Sequence, residues 1–377
     1  MQELQPKFTT VKGKWQIIVA ESSEKKEWNL KREVELMPSY DECYTPTHPI
    51  IMNILVWNSR GVLKPNFQEY VRELVRVHNP AILVIMETRL GGERAKGITD
   101  RLPFDGAIHT ETIGYVGGLW LLWNFDLVEV VQLANTEQEV HVEVKVIASN
   151  LYWILCAVYA SPTSAERYIL WENLIKVAGL HNKPWVIAGD FNEPLLGEDK
   201  FGGRPVSISR SLLFKDYSDK CNMVDLGFSG PRYMWTNRKD LNNLIQERID
   251  QFFTNPSWCL LYPEARVTHL TRCHSDHCPV LMEAVPKRVT HLNRPFKFQS
   301  FWLSNPSFPG VVMRAWSHTR NLSASIEKFT NEATQWNKNQ FGNIFEKKRR
   351  LMARLNGIQR TIASNPTSHL IDLENQL

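Results

Sequence analysis

Short apolar runs of strand length recur between residues 52 and 283, and five segments in this range end in an acid, an amide or an acid–histidine pair. The polar residues at these ends are Asn58, Glu87, Asp190, Asp250 and the pair Asp276 and His277. One such ending alone is as often a turn or a helix cap as a site. Five of them together indicate strands whose polar ends meet at one edge of a sheet, where loops form the usual ligand crevice.

Both helices and hairpins separate the predicted strands. Helical spacing of apolar residues predicts helices near 67–78, 165–178 and 209–221, and apolar runs predict buried strands at 54–57, 81–86, 152–159 and 185–188. The alternation of apolar and polar residues over 140–146 predicts a half-buried strand with one face in water. This mixed order favours a two-sheet α/β sandwich over a purely parallel sheet, because antiparallel pairs need only short turns.

The chain divides into three stretches by composition. Residues 1–50 are polar, carry no motif, and form an extension of unassigned role with one possible strand at 15–20. Residues 51–285 carry the strands and their polar ends, and 286–377 form a basic helical tail. From Lys287 onward, 14 Lys and Arg face 5 Asp and Glu, a net +9, whereas the preceding residues carry 30 against 35, a net −5.

The tail has the pattern of an amphipathic helix. Apolar residues from Phe341 to Ile362 recur at helical spacing beside a cluster of Lys and Arg at 347–350, and the helix is predicted to end before Pro366. We interpret it as a linker helix with a solvated basic face in preference to a nucleic-acid contact. A further helical pattern from Leu370 is cut short by the chain end, which predicts a truncated protein.

Composition argues against a membrane or secreted protein. No apolar stretch approaches the ~20 residues that span a bilayer, and the first residues lack the pattern of a signal peptide. The six cysteines are irregularly spaced and are predicted to be reduced, mostly buried thiols. A zinc site at Cys273, His274, His277 and Cys278 is disfavoured, because no second ligand pair completes it.

The donor set at the strand ends predicts a hard divalent cation. Asp190 and Asn192 stand two positions apart and therefore offer a carboxylate and an amide on one side of the chain. Oxygen donors without Cys or several His suit Mg²⁺ or Mn²⁺ rather than Zn²⁺. Since Mg²⁺ takes one or two carboxylates together with substrate phosphate, the sequence predicts phosphate-ester hydrolysis.

Six motifs carry a resemblance to the endonuclease/exonuclease/phosphatase family: WNSRG, ILVIMET, AVYASP, IAGDFNEP, ERIDQFF and HSDHCPV, in this order. The resemblance covers about 52–283 and implies a four-layer α/β sandwich with two mixed β-sheets that hydrolyses phosphodiesters with Mg²⁺. Three longer stretches, VGGLWLLW, DLGFSGPRYMWTN and ERIDQFFTNPSW, are similar to the apurinic-type endonuclease domain of plant non-LTR (LINE-type) retrotransposons. The tail resembles the connector before the reverse transcriptase of those elements.

The resemblance also implies roles for individual residues. Glu87 would be the principal Mg²⁺ ligand, with Asn58 and Asp276 nearby. Arg60 stands where many apurinic-type relatives carry an acid, which puts a neighbouring metal position in doubt and favours a phosphate contact.

Five residues would carry the chemistry by the same resemblance: Asp190, Asn192, His277, Asp250 and Tyr159. Asp190 would orient or deprotonate the attacking water, and Asn192 would hold that water and a phosphate oxygen. His277 would face the scissile phosphate, with Asp250 fixing its tautomer. Tyr159 would contact the phosphate.

The resulting hypothesis is a Mg²⁺-dependent endonuclease that nicks duplex DNA and leaves a 3′-hydroxyl. Its expected partner is DNA, with element RNA or a reverse transcriptase module as possible further partners, and no membrane association is expected. Its expected location is the nucleus. Two alternatives stay open. One is another phosphoesterase of the same fold, such as an exonuclease, a deadenylase or a phosphatase; the other is a retroelement relic that binds nucleic acid without catalysis.

Overall fold

A computed structural model of the protein describes residues 7–11, 14–18, 52–110, 112, 117–286, 296, 298, 300–316, 321–341 and 344–377. The chain divides into two compact units. The first comprises 1–287 together with 358–376, and the second comprises 288–357 together with Leu377.

The strands alternate with helices and hairpins, as the sequence pattern predicts. The strands are β1 (Lys7–Val11), β2 (Lys14–Ile18), β3 (Asn53–Asn58), β4 (Ile82–Met86), β5 (Gly106–His109), β6 (Leu119–Trp123), β7 (Val128–Asn135), β8 (Glu139–Val146), β9 (Leu151–Tyr159), β10 (Trp185–Asp190), β11 (Lys200–Phe201), β12 (Val224–Asp225), β13 (Trp235–Thr236), β14 (Gln246–Glu247), β15 (Asp250–Thr254), β16 (Arg266–His269) and β17 (Val280–Glu283). The α-helices are α1 (Phe67–His78), α2 (Gly92–Thr99), α3 (Ser164–Ala178), α4 (Ile208–Lys220), α5 (Pro256–Leu261), α6 (Phe308–Trp316), α7 (Leu322–Phe341), α8 (Ile344–Ser364) and α9 (Ser368–Gln376). None of these helices is both long and apolar enough to cross a membrane.

Two six-stranded sheets form the centre of the first unit. Their strand orders are β12-β15-β10-β9-β8-β7, which we call the first sheet, and β16-β17-β3-β4-β6-β5, which we call the second sheet. The pairs β3–β4 and β9–β10 are parallel and the other neighbours are antiparallel. The predicted pair of mixed sheets is therefore confirmed.

Three apolar clusters separate four layers. The largest lies between the two sheets and includes Val56, Val84 and Val142. A second lies between the second sheet and helices α1 and α2, and a third between the first sheet and helices α3 and α4. The layer order is thus helix, sheet, sheet, helix, which is the four-layer sandwich that the motifs imply.

The outer face of β8 differs from the prediction. The alternation over 140–146 predicts one face in water, but Glu139 and His141 on that face are 0% and 2% exposed. Asn173 of α3 donates a hydrogen bond to Glu139, so the helix layer covers the first half of the strand. Periodicity shows which residues share a face, whereas the covering helix decides whether that face meets water.

The second unit has a small apolar cluster of its own. Trp302, Phe308, Val311 and Ala333 are buried together, and the Trp302 indole N–H donates to Asn337 Oδ1 at 2.9 Å. The described residues of the helix predicted over 341–362 are helical: Phe341 is the last described residue of α7, and α8 runs from Ile344 to Ser364. The end of α8 at Ser364 agrees with the predicted stop before Pro366.

The free cysteines are those that the sequence predicts to be reduced. Within the described ranges, Cys156, Cys221 and Cys278 are buried, and Cys259 and Cys273 are half-buried. The possible strand at 15–20 corresponds to β2 at Lys14–Ile18, which pairs with β1 in an antiparallel hairpin.

Candidate active site

The polar strand ends meet at one edge of the sandwich. In the first sheet Asp190 lies beside Tyr159 in the parallel register and beside Asp250 in the antiparallel one. In the second sheet Asn58 pairs with Met86, and Glu87 follows directly. We call this group the polar rim; it consists of Asn58, Arg60, Glu87, Tyr159, Asp190, Asn192, Asp250, Asp276 and His277.

A buried hydrogen bond joins the two sheets at the polar rim. The Asn58 side-chain amide donates to Asp190 Oδ2 at 2.9 Å, although 132 residues separate them. The other oxygen of Asp190 accepts the backbone N–H of Asn192 at 2.8 Å. Both Asn58 and Asp190 are 1% exposed. The carboxylate of Asp190 is therefore fixed by two donors, one from each sheet.

His277 forms a dyad with Asp250. Its Nδ1 lies 2.8 Å from Asp250 Oδ2, and its Nε2 lies 4.0 Å from Asp190 Oδ2. Ser275 supports this arrangement, because its hydroxyl donates to the Asn58 carbonyl at 2.8 Å and accepts the His277 backbone N–H at 3.2 Å. The dyad leaves Nε2 pointing toward the rim, with Asp250 as the hydrogen-bond acceptor for the other ring nitrogen.

Burial and mutual charge shift the pKa values of this group. Burial first, and then repulsion by Asp250, raises the pKa of Asp190 to about 7. For His277, burial lowers the pKa, but attraction by Asp250 and Asp190 outweighs it and raises the pKa to about 9. Burial, with the charges of Glu87 and Asp190 added, raises the pKa of Tyr159 well above its usual range. At neutral pH His277 is therefore a cation, Tyr159 a neutral phenol, and Asp190 a carboxyl able to exchange a proton.

Two carboxylates of the rim face the same guanidinium. Arg60 lies 3.2 Å from Asp276 Oδ2 through one terminal nitrogen and 3.6 Å from Glu87 Oε1 through Nε. Its backbone N–H donates to Asn58 Oδ1 at 3.1 Å. Arg89 is also paired with Glu87. Two of the three predicted metal ligands, Glu87 and Asp276, thus contact one cation, and all three residues present oxygen as the Mg²⁺ donor set requires.

The loops of the rim adopt an uncommon backbone conformation. Arg60, Glu87, Arg89 and Asn192 have φ values of 52°, 51°, 59° and 48°. Left-handed backbone at residues other than Gly costs of order 1 kcal/mol or more, and it clusters at functional sites. Here it turns the Glu87 carboxylate back toward the end of β3.

Glycine makes the Glu87 loop possible. Gly117 and Gly118 have φ values of 80° and 90°, and their carbonyls accept the backbone N–H groups of Arg89 and Thr88 at 2.9 and 3.1 Å. A Cβ on Gly118 would clash with Thr88 Oγ1. The glycine pair thus allows a bend and a close approach of two backbone segments.

Further cations surround the opening. Lys64 Nζ donates to the Ser59 carbonyl at 2.8 Å, and Arg238 donates to the Ser275 carbonyl. Burial, opposed by Asp276 and helped by Arg238, Arg60 and Arg89, lowers the pKa of Lys64. These groups are close enough to influence one another, so the acidic rim opens between basic side chains.

One close group of possible metal ligands lies within the polar rim. Asp190, Asp250 and His277 have ligand atoms all within 4.8 Å of one another, a spacing that can hold a metal ion. Among the described residues, neither Glu87 with Asp276 nor Cys273 with Cys278 belongs to such a group. The role of Glu87 as metal ligand therefore stays a prediction.

Some site residues were not singled out by sequence reasoning. Trp235 is half-buried, and its indole N–H donates to Asp276 Oδ2 at 3.1 Å. Trp120 is fully buried in β6, whereas Trp123 is half-buried there. Ser275 lay within a quoted motif, but only the fold shows its bond to Asn58.

The comparisons with known proteins agree with this geometry. Residues 55–277 match the model of the Endonuclease/Exonuclease/phosphatase family. Because the match spans more than half of the chain, the protein belongs to that family. No curated protein matches the chain.

Three solved structures are similar to this chain at low sequence identity. The AP endonuclease LMAP from Leishmania major is 15% identical with a TM-score of 0.50, covering 62% of this chain and 87% of that one. The 3′ phosphatase NExo from Neisseria, bound to a product DNA hairpin, is 17% identical with a TM-score of 0.48, and the match covers 62% of this chain and 98% of that one. The endonuclease domain of TRAS1, a telomere-specific non-LTR retrotransposon, is 17% identical with a TM-score of 0.46, and the match covers 62% of this chain and 97% of that one.

Proposed function

We propose that this protein is a Mg²⁺- or Mn²⁺-dependent endonuclease that nicks duplex DNA and leaves a 3′-hydroxyl. We further propose an origin in a non-LTR retrotransposon of the plant type, a nuclear location, and residues 286–377 as its connector toward a reverse transcriptase module. The observation that carries the proposal is the His277–Asp250 dyad at 2.8 Å, held 4.0 Å from the buried carboxylate of Asp190. Family membership supports phosphoester chemistry, and the motif resemblance supports the narrower substrate.

The metal would be held by Glu87 and Asp276, with Asn58 beside them. Arg60 already lies between these two carboxylates, so they converge on a point that suits a cation. When bound there, a hydrated divalent ion would supply Lewis-acid stabilisation of charge on the phosphate oxygens. The carboxylates of Asp190 and Asp250 instead have histidine and amide partners, which suits them to proton transfer and orientation.

Asp190 would position the nucleophile. Its two oxygens are fixed by Asn58 and by the Asn192 backbone, and its pKa is raised to about 7. A carboxylate with a pKa near neutrality can accept a proton from water at the moment of attack. The water oxygen would bond to phosphorus, its proton would pass to Asp190, and the bond from phosphorus to O3′ would break. The departing O3′ would take up a proton from solvent and leave as the 3′-hydroxyl.

His277 and Tyr159 would stabilise the charge that develops on the phosphate. A protonated His277 can donate from Nε2 because Asp250 engages its Nδ1. The neutral Tyr159 hydroxyl can donate in the same way. One amide hydrogen of Asn192 is used on the Ala160 carbonyl at 2.7 Å, which holds the side chain in place for the water and phosphate contact.

The basic opening supports a nucleic-acid substrate. Arg60, Arg89, Lys64 and Arg238 surround an acidic centre, and Lys and Arg contacts to phosphates supply most non-specific affinity for DNA. Such contacts position the backbone without reading bases. Cleavage is therefore expected to be strongly salt-dependent, with sequence preference set elsewhere.

The test is cleavage of supercoiled plasmid by the purified protein with Mg²⁺, with Mn²⁺ and with EDTA. We expect open circles with either ion and none with EDTA, and the nicks should be extended directly by a DNA polymerase. Poly(A) and small phosphate esters serve as competing substrates in parallel reactions.

The matched control pair is Glu87→Ala and Glu93→Ala, since Glu93 is exposed on the neighbouring helix α2. Nicking should vanish only in the Glu87 variant. Hydrolysis of poly(A) or small esters with an intact plasmid would replace the proposal by another phosphoesterase. The absence of any metal-dependent cleavage would identify a non-catalytic relic.

A further inference from the structure

A second polar cluster lies in the first sheet, away from the strand ends. Glu139 and His141 stand two positions apart on β8, and Cys156 lies directly opposite His141 on the antiparallel strand β9. All three point to the face that helix α3 covers, and they are 0%, 2% and 0% exposed. We call these three residues the outer-face cluster.

The three ligand atoms are spaced like those around a tetrahedral ion. His141 Nε2 lies 3.0 Å from Glu139 Oε2 and 3.7 Å from Cys156 Sγ. All three atoms lie within 4.8 Å of one another. With bonds of ~2.0 Å to oxygen and nitrogen and ~2.3 Å to sulfur, tetrahedral ligand atoms stand roughly 3.3 to 3.6 Å apart. Small side-chain movements would therefore suffice to accept an ion.

The chemistry of the donors selects the ion. A thiolate, an imidazole and one carboxylate are the mixed set that suits Zn²⁺, whereas Mg²⁺ prefers oxygen alone. Asn173 of α3 donates to the second oxygen of Glu139 at 3.0 Å, which orients the carboxylate from outside the ligand set.

A cavity leads from the cluster toward solvent. It has a volume of about 550 Å³ and is lined by His141 together with Leu133, Ile154, Lys176 and His181. Both ring nitrogens of His181 are buried without a hydrogen-bond partner among the described residues. The cavity thus offers an entry path for the ion and room for a water molecule as the fourth ligand. The His181 imidazole on its wall can hydrogen-bond that water.

We infer that Glu139, His141 and Cys156 form a zinc site that stabilises the first sheet and is separate from the polar rim. Binding would replace the Cys156 thiol proton, which leaves to solvent, by a metal–sulfur bond. The fourth position would be filled by water from the cavity. The inference does not depend on the proposed nuclease activity.

The experiment uses the full chain, stripped with EDTA and titrated with Co²⁺ in excess Mg²⁺. We expect one equivalent of Co²⁺ to give a thiolate-to-cobalt absorption band and a tetrahedral visible spectrum, both abolished by one equivalent of Zn²⁺. Zinc, and not Mg²⁺, should also raise the melting temperature. The Glu87→Ala variant should behave like the wild type in all three measurements.

Two cysteine variants identify the ligand. Cys156→Ser should lose the thiolate band, whereas Cys221→Ser, which alters another buried cysteine in the same apolar cluster, should retain it. His141→Gln should lower zinc content to background. Because the wild-type spectrum needs no variant, a chain without a cobalt–thiolate band overturns the inference even if a variant fails to fold. A band that persists in Cys156→Ser overturns it as well, and would leave the cluster a hydrogen-bonded Glu–His pair.

Discussion

The polar rim and the outer-face cluster lie in the same molecule and share one element, a buried histidine on a carboxylate. His277 lies 2.8 Å from Asp250, and His141 lies 3.0 Å from Glu139. The rim adds a second carboxylate and opens between arginines, whereas the outer-face cluster adds a thiol and is covered by a helix. A buried His–acid pair therefore does not define a function by itself; the third group and the route to solvent define it.

The electrostatics of the two places differ accordingly. At the rim two acids raise the pKa of His277 to about 9 despite its burial. At the outer face burial, followed by the charge of Glu139, raises the pKa of the Cys156 thiol well above its usual value. The first arrangement keeps His277 positively charged at neutral pH. The second holds a protonated thiol until a metal replaces the proton.

The largest expected effect separates the two histidines. His277→Ala should lower the nicking rate by at least ~10³-fold, about 4 kcal/mol of activation free energy, because the dyad loses its proton-bearing member. His141→Gln should leave nicking within about threefold but abolish zinc binding. Plasmid nicking rates and metal analysis measure both. His274→Ala, which alters an exposed neighbour of His277, is the control; equal losses in His277→Ala and His274→Ala would refute the assignment.

The next effect concerns how the rim is held. The Gln359 side chain, 2% exposed, accepts the Arg272 backbone N–H at 3.0 Å and donates to its carbonyl at 2.9 Å, while Glu374 pairs with the Arg272 guanidinium at 2.6 Å. Gln359→Ala leaves the backbone N–H and the carbonyl of Arg272 without their hydrogen-bond partner. We therefore expect the free energy of unfolding to fall by about 3 kcal/mol. Urea denaturation measures this.

The C-terminal helices thereby support the loop that carries Asp276 and His277. Nicking by Gln359→Ala should also weaken at temperatures where the protein is still folded. Arg360→Ala, an exposed change on the same helix, should alter neither property. If both variants behaved alike, the contact would carry no specific support for the loop.

A third buried histidine, His269, bonds a backbone carbonyl instead of a carboxylate, and it therefore shows what burial does to a histidine pKa when no acid is paired with the ring. His269 Nδ1 donates to the Pro231 carbonyl at 2.7 Å, and burial, partly offset by that bond and aided by Arg248, lowers its pKa to about 4. The unfolded value is about 6.5, so the unfolded state binds the proton first as pH falls. Stability is full above pH ~6.5 and declines toward pH ~4.

The lowered pKa of His269 predicts a measurable loss of stability as the pH falls. Between pH 7 and pH 5 the His269 contribution should cost about 2 kcal/mol of unfolding free energy. His269→Asn retains a donor for the carbonyl and should lose less stability over the same range. Urea midpoints at the two pH values decide the matter, and parallel losses in both proteins would contradict the prediction.

The smallest effect tests the cation at the rim. Arg60→Gln removes the guanidinium that now contacts Glu87 and Asp276, so Mg²⁺ would no longer compete with it. We expect the Mg²⁺ concentration for half-maximal nicking to fall about fivefold, or about 1 kcal/mol for a partly exposed pair. The KM for DNA should rise as a phosphate contact is lost. Arg94→Gln, exposed on α2, is the control; an unchanged Mg²⁺ requirement would show that Arg60 does not compete.

Much of the fold and of the rim was predictable from local pattern. Apolar runs and helical spacing predicted β3, β4, β9, β10, α1, α3 and α4 to within a few residues. The polar residues beside the strands predicted which residues meet. Asn58, Glu87 and Asp190 lie at the carboxyl ends of β3, β4 and β10. Asp250 begins β15 and His277 precedes β17, and antiparallel pairing brings these two to the same edge. The small sheet of β11, β13 and β14 was not predicted, since two-residue strands leave no periodicity to read.

The remaining features depend on contacts between distant segments. The pairing of Arg60 with both Glu87 and Asp276 requires left-handed loops that residue type does not reveal. The bond between Arg272 and Gln359 joins residues 87 positions apart. Neither leaves a periodic trace in the sequence.

The sequence alone determined the sandwich, the order of its strands, and the acids and amides at their ends, because hydrophobic periodicity and residue chemistry are local properties of the chain. Only the tertiary structure decided which charges meet. The register of β8 against β9 places Cys156 opposite His141, and the cover of α3 buries both. Register and cover depend on the packing of whole elements, and that packing places one buried histidine between two carboxylates of the polar rim and the other beside a thiol.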